Sequence, residues 1–315
     1  MMALEDLIYG YNVVPTKYGT KVRAGYEEWA TNCDDEVRTL IPYIGADSTK
    51  NRLFACTESN ILDVTASTDA PATDQAFASS SVDSGYCSWT MFTTAADRFL
   101  CVCDEQNGYY TYTESTDTWA KITGAVTVAD ATKFAQVCSW KSKLWFTQKG
   151  TSKSWYLPTG SVVGAATEFD WGNKFVHGGT LVGLWSWTVD GGEGVDDYLV
   201  AVSSTGDVIV YKGTDPASSS TFGLVGKWFI GAPPKGRRCV GSFGGELYLL
   251  SSFGLLPISK LMSGQPVMDK NIAVTEKVAP LVTTEMNQLR ETYGWEVRFA
   301  PSQNLLLISG PKNGS

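Results

Sequence analysis

The chain has 315 residues, 43% of them hydrophobic and 12% aromatic, enough to bury a large core as one all-β domain or two smaller ones. Its 33 acids against 25 bases give a formal charge of -8, a field that repels nucleic acid and anionic membranes and excludes a groove-reading DNA binder, though not a protein that encloses DNA without gripping it. No apolar run approaches the ~20 residues of a membrane-spanning helix, and "MMALEDLIYGYN" has two early acids and no basic leader, so a soluble protein made in a cytoplasm is expected.

In chain order, residues 1–36 read as an N-terminal arm with one or more strands packing on the body that follows. From there a phrase recurs: a polar residue, an apolar strand, a polar turn and usually a second strand. It appears as "NRLFACTESNILDVT" from Asn51, "DRFLCVCDEQNGYYTYT" from Asp97, "SKLWFTQKGTSKSWYLP" from Ser142 and "DYLVAVSSTGDVIVYKG" from Asp197. It returns as "GELYLLSSFGLLPISK" from Gly245 and "QNLLLISGP" from Gln303. The first apolar residues, Leu53, Phe99, Leu144, Leu199, Leu247 and Leu305, lie 46, 45, 55, 48 and 58 positions apart. That spacing suits about four short strands per unit, the blade of a β-propeller.

The segments just before the phrases supply further strands: "EVRTLIPYI", "YCSWTMFTT", "FAQVCSW", "TLVGLWSWTV" and "RRCVGSF", all rich in β-branched and aromatic residues. The expected fold is all-β, a propeller of about six blades with one helical insertion. Blades occupy 37–262, the insertion 263–293, and 294–315 start a final blade expected to be incomplete, to be completed by the arm, a neighbouring subunit or further residues. Eleven tryptophans would fill the wedges between blades. In the insertion Val278, Leu281, Val282, Met286 and Leu289 recur at helical spacing, and Pro280 places the helix start near itself. Loops are expected at 66–85, 190–197 and 214–221, all rich in Ser, Thr, Gly or Asp. The seven cysteines (33, 56, 87, 101, 103, 138 and 239) read as buried reduced thiols, with Cys101 and Cys103 on one face of a strand.

A search for chemistry yields little. His177 is the only histidine, so any triad must use it, and beside two glycines it reads as structural. Asp190, Glu193, Asp196 and Asp197 offer oxygen donors without EF-hand spacing, so a solvated acidic turn is preferred to a calcium site. Ser115, Asp117 and Trp119 sketch the Ser-x-Asp-x-Gly-x-x-Trp turn of propeller glycosidases but lack its glycine. Lys235, Arg237 and Arg238 read first as an exposed turn between strands and second as a phosphate or acidic-partner contact. No catalytic, cofactor or metal residue is assigned, and no enzyme is expected.

Several phrases in order resemble the tail nozzle or tail hub proteins of short-tailed bacteriophages. They are Pro15, Gly19, Arg23, Gly25 and Tyr26; Thr39, Leu40, Pro42 and Tyr43; and Leu53 to Ala55. Asp63 to Thr65, then Gly244, Gly245, Leu247 and Tyr248, and finally Gly294, Trp295 and Val297 extend the match. The resemblance implies a virion protein, a homo-oligomeric ring of about six copies assembled in the host cytoplasm. It would sit below adaptor and portal-side proteins, hold fibres and let double-stranded DNA pass without specific binding. The Ser/Thr/Asp-rich loops and the helix after Met262 are then candidates for subunit contacts. Two other readings stand beside it: a carbohydrate-binding propeller whose loop Trp and Tyr stack on sugar rings, and a propeller glycoside hydrolase using paired carboxylates.

Overall fold

The computed structural model describes residues 10–16, 18–124, 129–190, 195–264, 272–303 and 305–311. A hairpin of β1 (Val13–Thr16) and β2 (Gly19–Val22) comes first. Four four-stranded antiparallel sheets follow, each a simple meander. Sheet 1 is β3 (Thr39–Tyr43), β4 (Arg52–Cys56), β5 (Asn60–Asp63) and β6 (Ala72–Ala76). Sheet 2 is β7 (Ser88–Thr93), β8 (Arg98–Asp104), β9 (Gly108–Thr113) and β10 (Thr118–Ile122). Sheet 3 is β11 (Phe134–Trp140), β12 (Lys143–Gln148), β13 (Lys153–Tyr156) and β14 (Thr167–Asp170). Sheet 4 is β15 (Leu181–Asp190), β16 (Val195–Ser203), β17 (Asp207–Gly213) and β18 (Phe222–Phe229).

The series then shortens. Sheet 5 has three strands, β19 (Val240–Phe243), β20 (Glu246–Ser251) and β21 (Gly254–Pro257). The short helix α1 (Ile258–Met262) and the longer α2 (Ala279–Leu289), with Pro280 in its first turn, follow it. Sheet 6 has two strands, β22 (Glu296–Ala300) and β23 (Leu305–Ser309).

Burial explains the order within each sheet. The second and third strands are covered on both faces, so β8, β9, β12 and β17 are near-continuous buried runs. The fourth strands β6, β14 and β18 are mostly exposed, and β6 and β14 are polar as well, while β18 sends Phe222 into the core. This is why β6, in "ATDQA", reads as loop: a strand with solvent on both sides carries no apolar signature.

Apolar cores join consecutive sheets face to face. Tyr43, Phe54, Tyr110 and Tyr112 fill the wedge between sheets 1 and 2, and Cys101, Cys103, Phe134 and Phe146 the next. Trp140, Trp145, Trp171 and Phe222 fill the wedge between sheets 3 and 4, where the most deeply buried tryptophans concentrate. Between sheets 4 and 5, valines, leucines and isoleucines surround Trp187, with Trp185 and Trp228 packed at the margin. Sheets 5 and 6 share a core of Leu250, Leu255, Trp295 and Val297 with Met286 of α2. The helix offers Val282, Met286 and Leu289 to that core, while Val278 and Leu281 face solvent, so the buried stripe is narrower than its spacing suggests.

The cysteines are free thiols, six of them buried, and Cys33 is half-buried. Burial pushes Cys101, Cys138 and Cys239 up to about 12, far from reactive thiolate. The acidic stretch 190–197 is not a plain loop either. β15 runs to Asp190 and β16 starts at Val195, with Glu193 outside the described residues.

Candidate functional site: a cavity beside two buried arginines

The first strands of the sheets are laced to one another by side chains. Thr39 of β3 donates through Oγ1 to the Gly85 carbonyl (2.6 Å) and accepts from the Cys87 amide (3.1 Å), beside β7. Ser88 of β7 accepts from the Val137 amide of β11 at 3.2 Å. Gln136 of β11 is buried and holds Leu184 of β15 with both ends of its amide, at 2.6 and 2.7 Å. Such side chain to backbone bonds satisfy polar groups that a plain apolar wedge would orphan.

The "PPKGRRCV" segment completes the lacing. Arg237 donates to the carbonyls of Leu181 (3.1 Å) and Val182 at the start of β15, and pairs with Glu105 at 3.3 Å. Arg238, its neighbour, donates to the Arg38 carbonyl (2.8 Å) and to Thr39 Oγ1 (3.1 Å), and pairs with Glu296 of β22 at 3.2 Å. The chain bends at Gly236 and Arg237, and the two neighbours part: one arginine reaches sheets 2, 3 and 4 and the other sheets 1 and 6. Their side chains are only 8% and 11% exposed. The two arginines are therefore neither on an exposed turn nor free for an anion, while Lys235 stays exposed. Arg237 sits against a carboxylate and two carbonyls, and Arg238 against a carboxylate, a carbonyl and a hydroxyl, contacts that offset much of the cost of burying a cation.

Tyr86 adds an aromatic plate. Arg38 and Arg238 lie 5.4 and 5.2 Å from its ring centre, and Tyr293 stacks on it at 5.7 Å. Lys235 covers Tyr293 at 4.3 Å, so this lysine too is engaged within the chain.

Below the arginines, β7, β19 and β22, strands distant in sequence, face a cavity of about 300 Å³. Trp89, Phe299, Ser88 and Ser242 line it together with Arg238, Glu296 and Arg298. The Arg298 guanidinium is 2.5 Å from Glu296 and 5.9 Å from the Trp89 ring centre. An aromatic wall, two hydroxyls and a carboxylate flanked by guanidiniums can stack a flat apolar face and read hydroxyl or carboxylate groups.

The other singled-out residues are dispersed. His177 Nδ1 lies 2.6 Å from Asp207 Oδ1, and its amide donates to Oδ2 at 2.7 Å. The ring also packs on Phe229. No hydroxyl nucleophile hydrogen-bonds this ring among the described residues, so the pair fastens the linker between sheets 3 and 4 to a turn. Asp197 pairs with Lys141 at 3.0 Å and accepts from Thr188 at 2.7 Å, which joins sheets 3 and 4 rather than building a cation cage. Asp117 pairs with Arg52 at 2.6 Å, a contact that holds its carboxyl below the usual range, and Trp119 packs edge-on against Phe54. That turn is a staple between sheets 1 and 2. Ser115 instead bonds Asp97.

Of the phrases that carry the phage resemblance, Gly19, Arg23, Gly25 and Tyr26 lie on an exposed arm, and Pro15 lies in β1. Thr39 to Tyr43, Leu53 to Ala55 and Asp63 to Thr65 belong to sheet 1, Gly244 to Tyr248 to the first turn of sheet 5, and Gly294 to Val297 to the entry of β22. Thr39 touches the lacing through its hydroxyl, and Val297 through its amide, which donates to the Arg238 carbonyl at 3.0 Å. Trp89, Glu105, Glu296 and Arg298 were not anticipated. The one available signal was charge inside apolar strands, as in "WEVRFA".

No family model matches the chain, and no curated protein matches it. Among solved structures it is similar to BBS1N in a complex with ARL6DN, at 12% identity and a TM-score of 0.41 over 74% of this chain and 66% of that one. A second structure of that complex gives 11% identity and a TM-score of 0.43 over 69% of this chain and 63% of the other. The extracellular domain of a hybrid two-component system from B. thetaiotaomicron gives 14%, with a TM-score of 0.44, over 73% and 29%. The chain spans less than two thirds of each of these proteins, and at such scores the likenesses carry no weight beside the sheets themselves.

Proposed function

We propose that the six sheets close around a common axis as a β-propeller and that the protein is a binding module rather than an enzyme. The support for closure is the circuit of hydrogen bonds from Thr39 through Ser88, Gln136 and Arg237 to Arg238 and back to Thr39. The support for binding is the axial cavity, where Trp89 and Phe299 stand beside Glu296, Arg298 and Arg238. A hydroxyl-rich ligand of the sugar class suits that lining, and an acidic sugar suits it best because guanidiniums outnumber the carboxylate. Glycan-array screening followed by calorimetry of the full chain tests this. Arg298→Ala and Trp89→Ala should each weaken the selected glycan about tenfold, equivalent to about 1.4 kcal/mol. Retention of no glycan, or an affinity unchanged from the parent in either variant, overturns the reading.

A second reading is a structural subunit of a phage tail, a hexameric nozzle or hub in the virion that supports fibres and surrounds exiting DNA. Its support is the ordered set of phrases above and an arm whose apolar side chains lie in solvent. In that reading the duplex runs between copies, because Arg237 and Arg238 close the axis of each one. Negative-stain images of the purified protein or of virions test it: a ring or tail-end density is expected, and its absence counts against the assignment.

A further inference from the structure

We propose that the β1–β2 hairpin of one copy of this chain docks on the open edge of β23 in a second copy, supplying the two strands that sheet 6 lacks. The inference is independent of the sugar reading. It deepens the assembly reading by naming the contact, without requiring a virion.

Sheets 1 to 4 have four strands among the described residues, while sheet 6 has two. Among the described residues β23 pairs with β22 alone. Its sequence, "LLLIS", is apolar, and Leu307 is 48% exposed. Beside it lies a pocket of about 240 Å³ lined by Phe243, Tyr248, Val274, Phe299, Leu305 and Leu306. An apolar strand with unpaired amides and an apolar groove at its side is a template for another strand. Five apolar cores join sheets 1 to 6 in succession, and none among the described residues joins sheet 6 back to sheet 1.

The hairpin is the complementary oddity. It is joined to the body by the Trp29 indole, which donates to the Val64 carbonyl at 2.8 Å, and by the Ala30 bridge to Thr68. Most of the described residues before that anchor are exposed: Tyr11 and Tyr26 are 81% exposed and Val22 78%. A two-stranded hairpin alone is marginally stable, so this one needs a surface to lie on. Residues 10–26 carry Lys17, Lys21 and Arg23 and no acid, in a chain of net charge -8, so the arm and the body attract. The stretch from Val22 to Trp29 reaches at most about 23 Å, so the docked copies lie side by side. Since arm and edge are different surfaces, the contact is head to tail and propagates into a ring if its rotation closes.

Light scattering during size exclusion of the full chain should show oligomers that dissociate on dilution. Removal of residues 1–24 should give a monomer with an unchanged circular dichroism spectrum. Leu306→Pro and Leu307→Pro sharpen the test: of two adjacent amides one faces β22 and the other the open edge, so one variant should keep its melting temperature and lose assembly. That variant still offers an arm, and the trimmed chain still offers an edge. Mixing the two should yield a one-to-one complex although each alone is monomeric. A full chain that stays monomeric when concentrated, oligomers that persist without the hairpin, or a mixture that forms no complex overturns the proposal.

Discussion

Sheets 3 and 4 and sheets 5 and 6 begin from the same two-strand phrase and end differently. The first pair carries the phrase out to four strands each and closes its wedge with Trp140, Trp145, Trp171, Tyr211 and Phe222. Trp145 lies 4.7 Å from Tyr156 in that wedge. The second pair has three strands and two, sets a helix where an outer strand would go, and leaves Phe243, Leu281 and Leu307 in solvent. Outer strands add little core of their own. They cover edges, and where they are missing the edge becomes available to something else.

Trp145→Ala should cost about 3–5 kcal/mol in chemical denaturation, because it empties a dry aromatic wedge. Leu307→Ala, at the bare edge, should cost under about 0.5 kcal/mol. Equal losses at the two sites would abolish the contrast between the pairs. Arg237→Ala should come next, at about 3 kcal/mol, since it leaves Glu105 buried and unpaired while cutting the tie from sheet 5 to sheet 4. Arg237→Met restores the buried stem but leaves Glu105 without its cation, so it should recover only the packing part of that loss. Full recovery in Arg237→Met would mean that the ion pair and the hydrogen bonds to Leu181 and Val182 add nothing net.

Gly206→Ala probes the joint between the complete and incomplete halves. The glycine has φ +105°, and a Cβ there would come within 2.2 Å of the Gly231 carbonyl oxygen in the linker to sheet 5. A loss of about 1–3 kcal/mol is expected, read as a lowered melting temperature. The smallest effect is at the outer strand of sheet 1. Partial burial of the Asp74 carboxyl and the neighbouring Asp63 and Asp117 push it up to about 6 from 3.8. The folded chain holds that proton more tightly than the unfolded one, so stability present below pH 4 is lost as pH rises through 6. Asp74→Asn should melt higher than the parent at pH 7 and level with it at pH 3.5. A gain at both pH values would assign the effect to something other than titration.

The inner strands were legible because burial on both faces writes an unbroken apolar run, as in "RFLCVCD" and "FAQVCSW". The turns were legible too: Thr57, Asp104, Ser203 and Ser251 end second strands and accept from amides of the turn that follows. β6 and β14 were not, since a solvated strand such as "TEFD" is compositionally a loop. Arg237 and Arg238 were visible as charge and misplaced as surface. Whether a basic pair faces water or an interior depends on which carbonyls and acids converge on it, here from Glu105, Leu181, Arg38 and Glu296, and that convergence is set by the fold as a whole.

The divergent directions of Arg237 and Arg238 make the length of the Pro233 to Cys239 linker as restrictive as its charge. An insertion between Cys239 and Val240 would draw both guanidiniums off carbonyls and acids that belong to different sheets, so two ties would fail together. A change of length here should therefore cost more than the same change in the mostly exposed loop at 214–221.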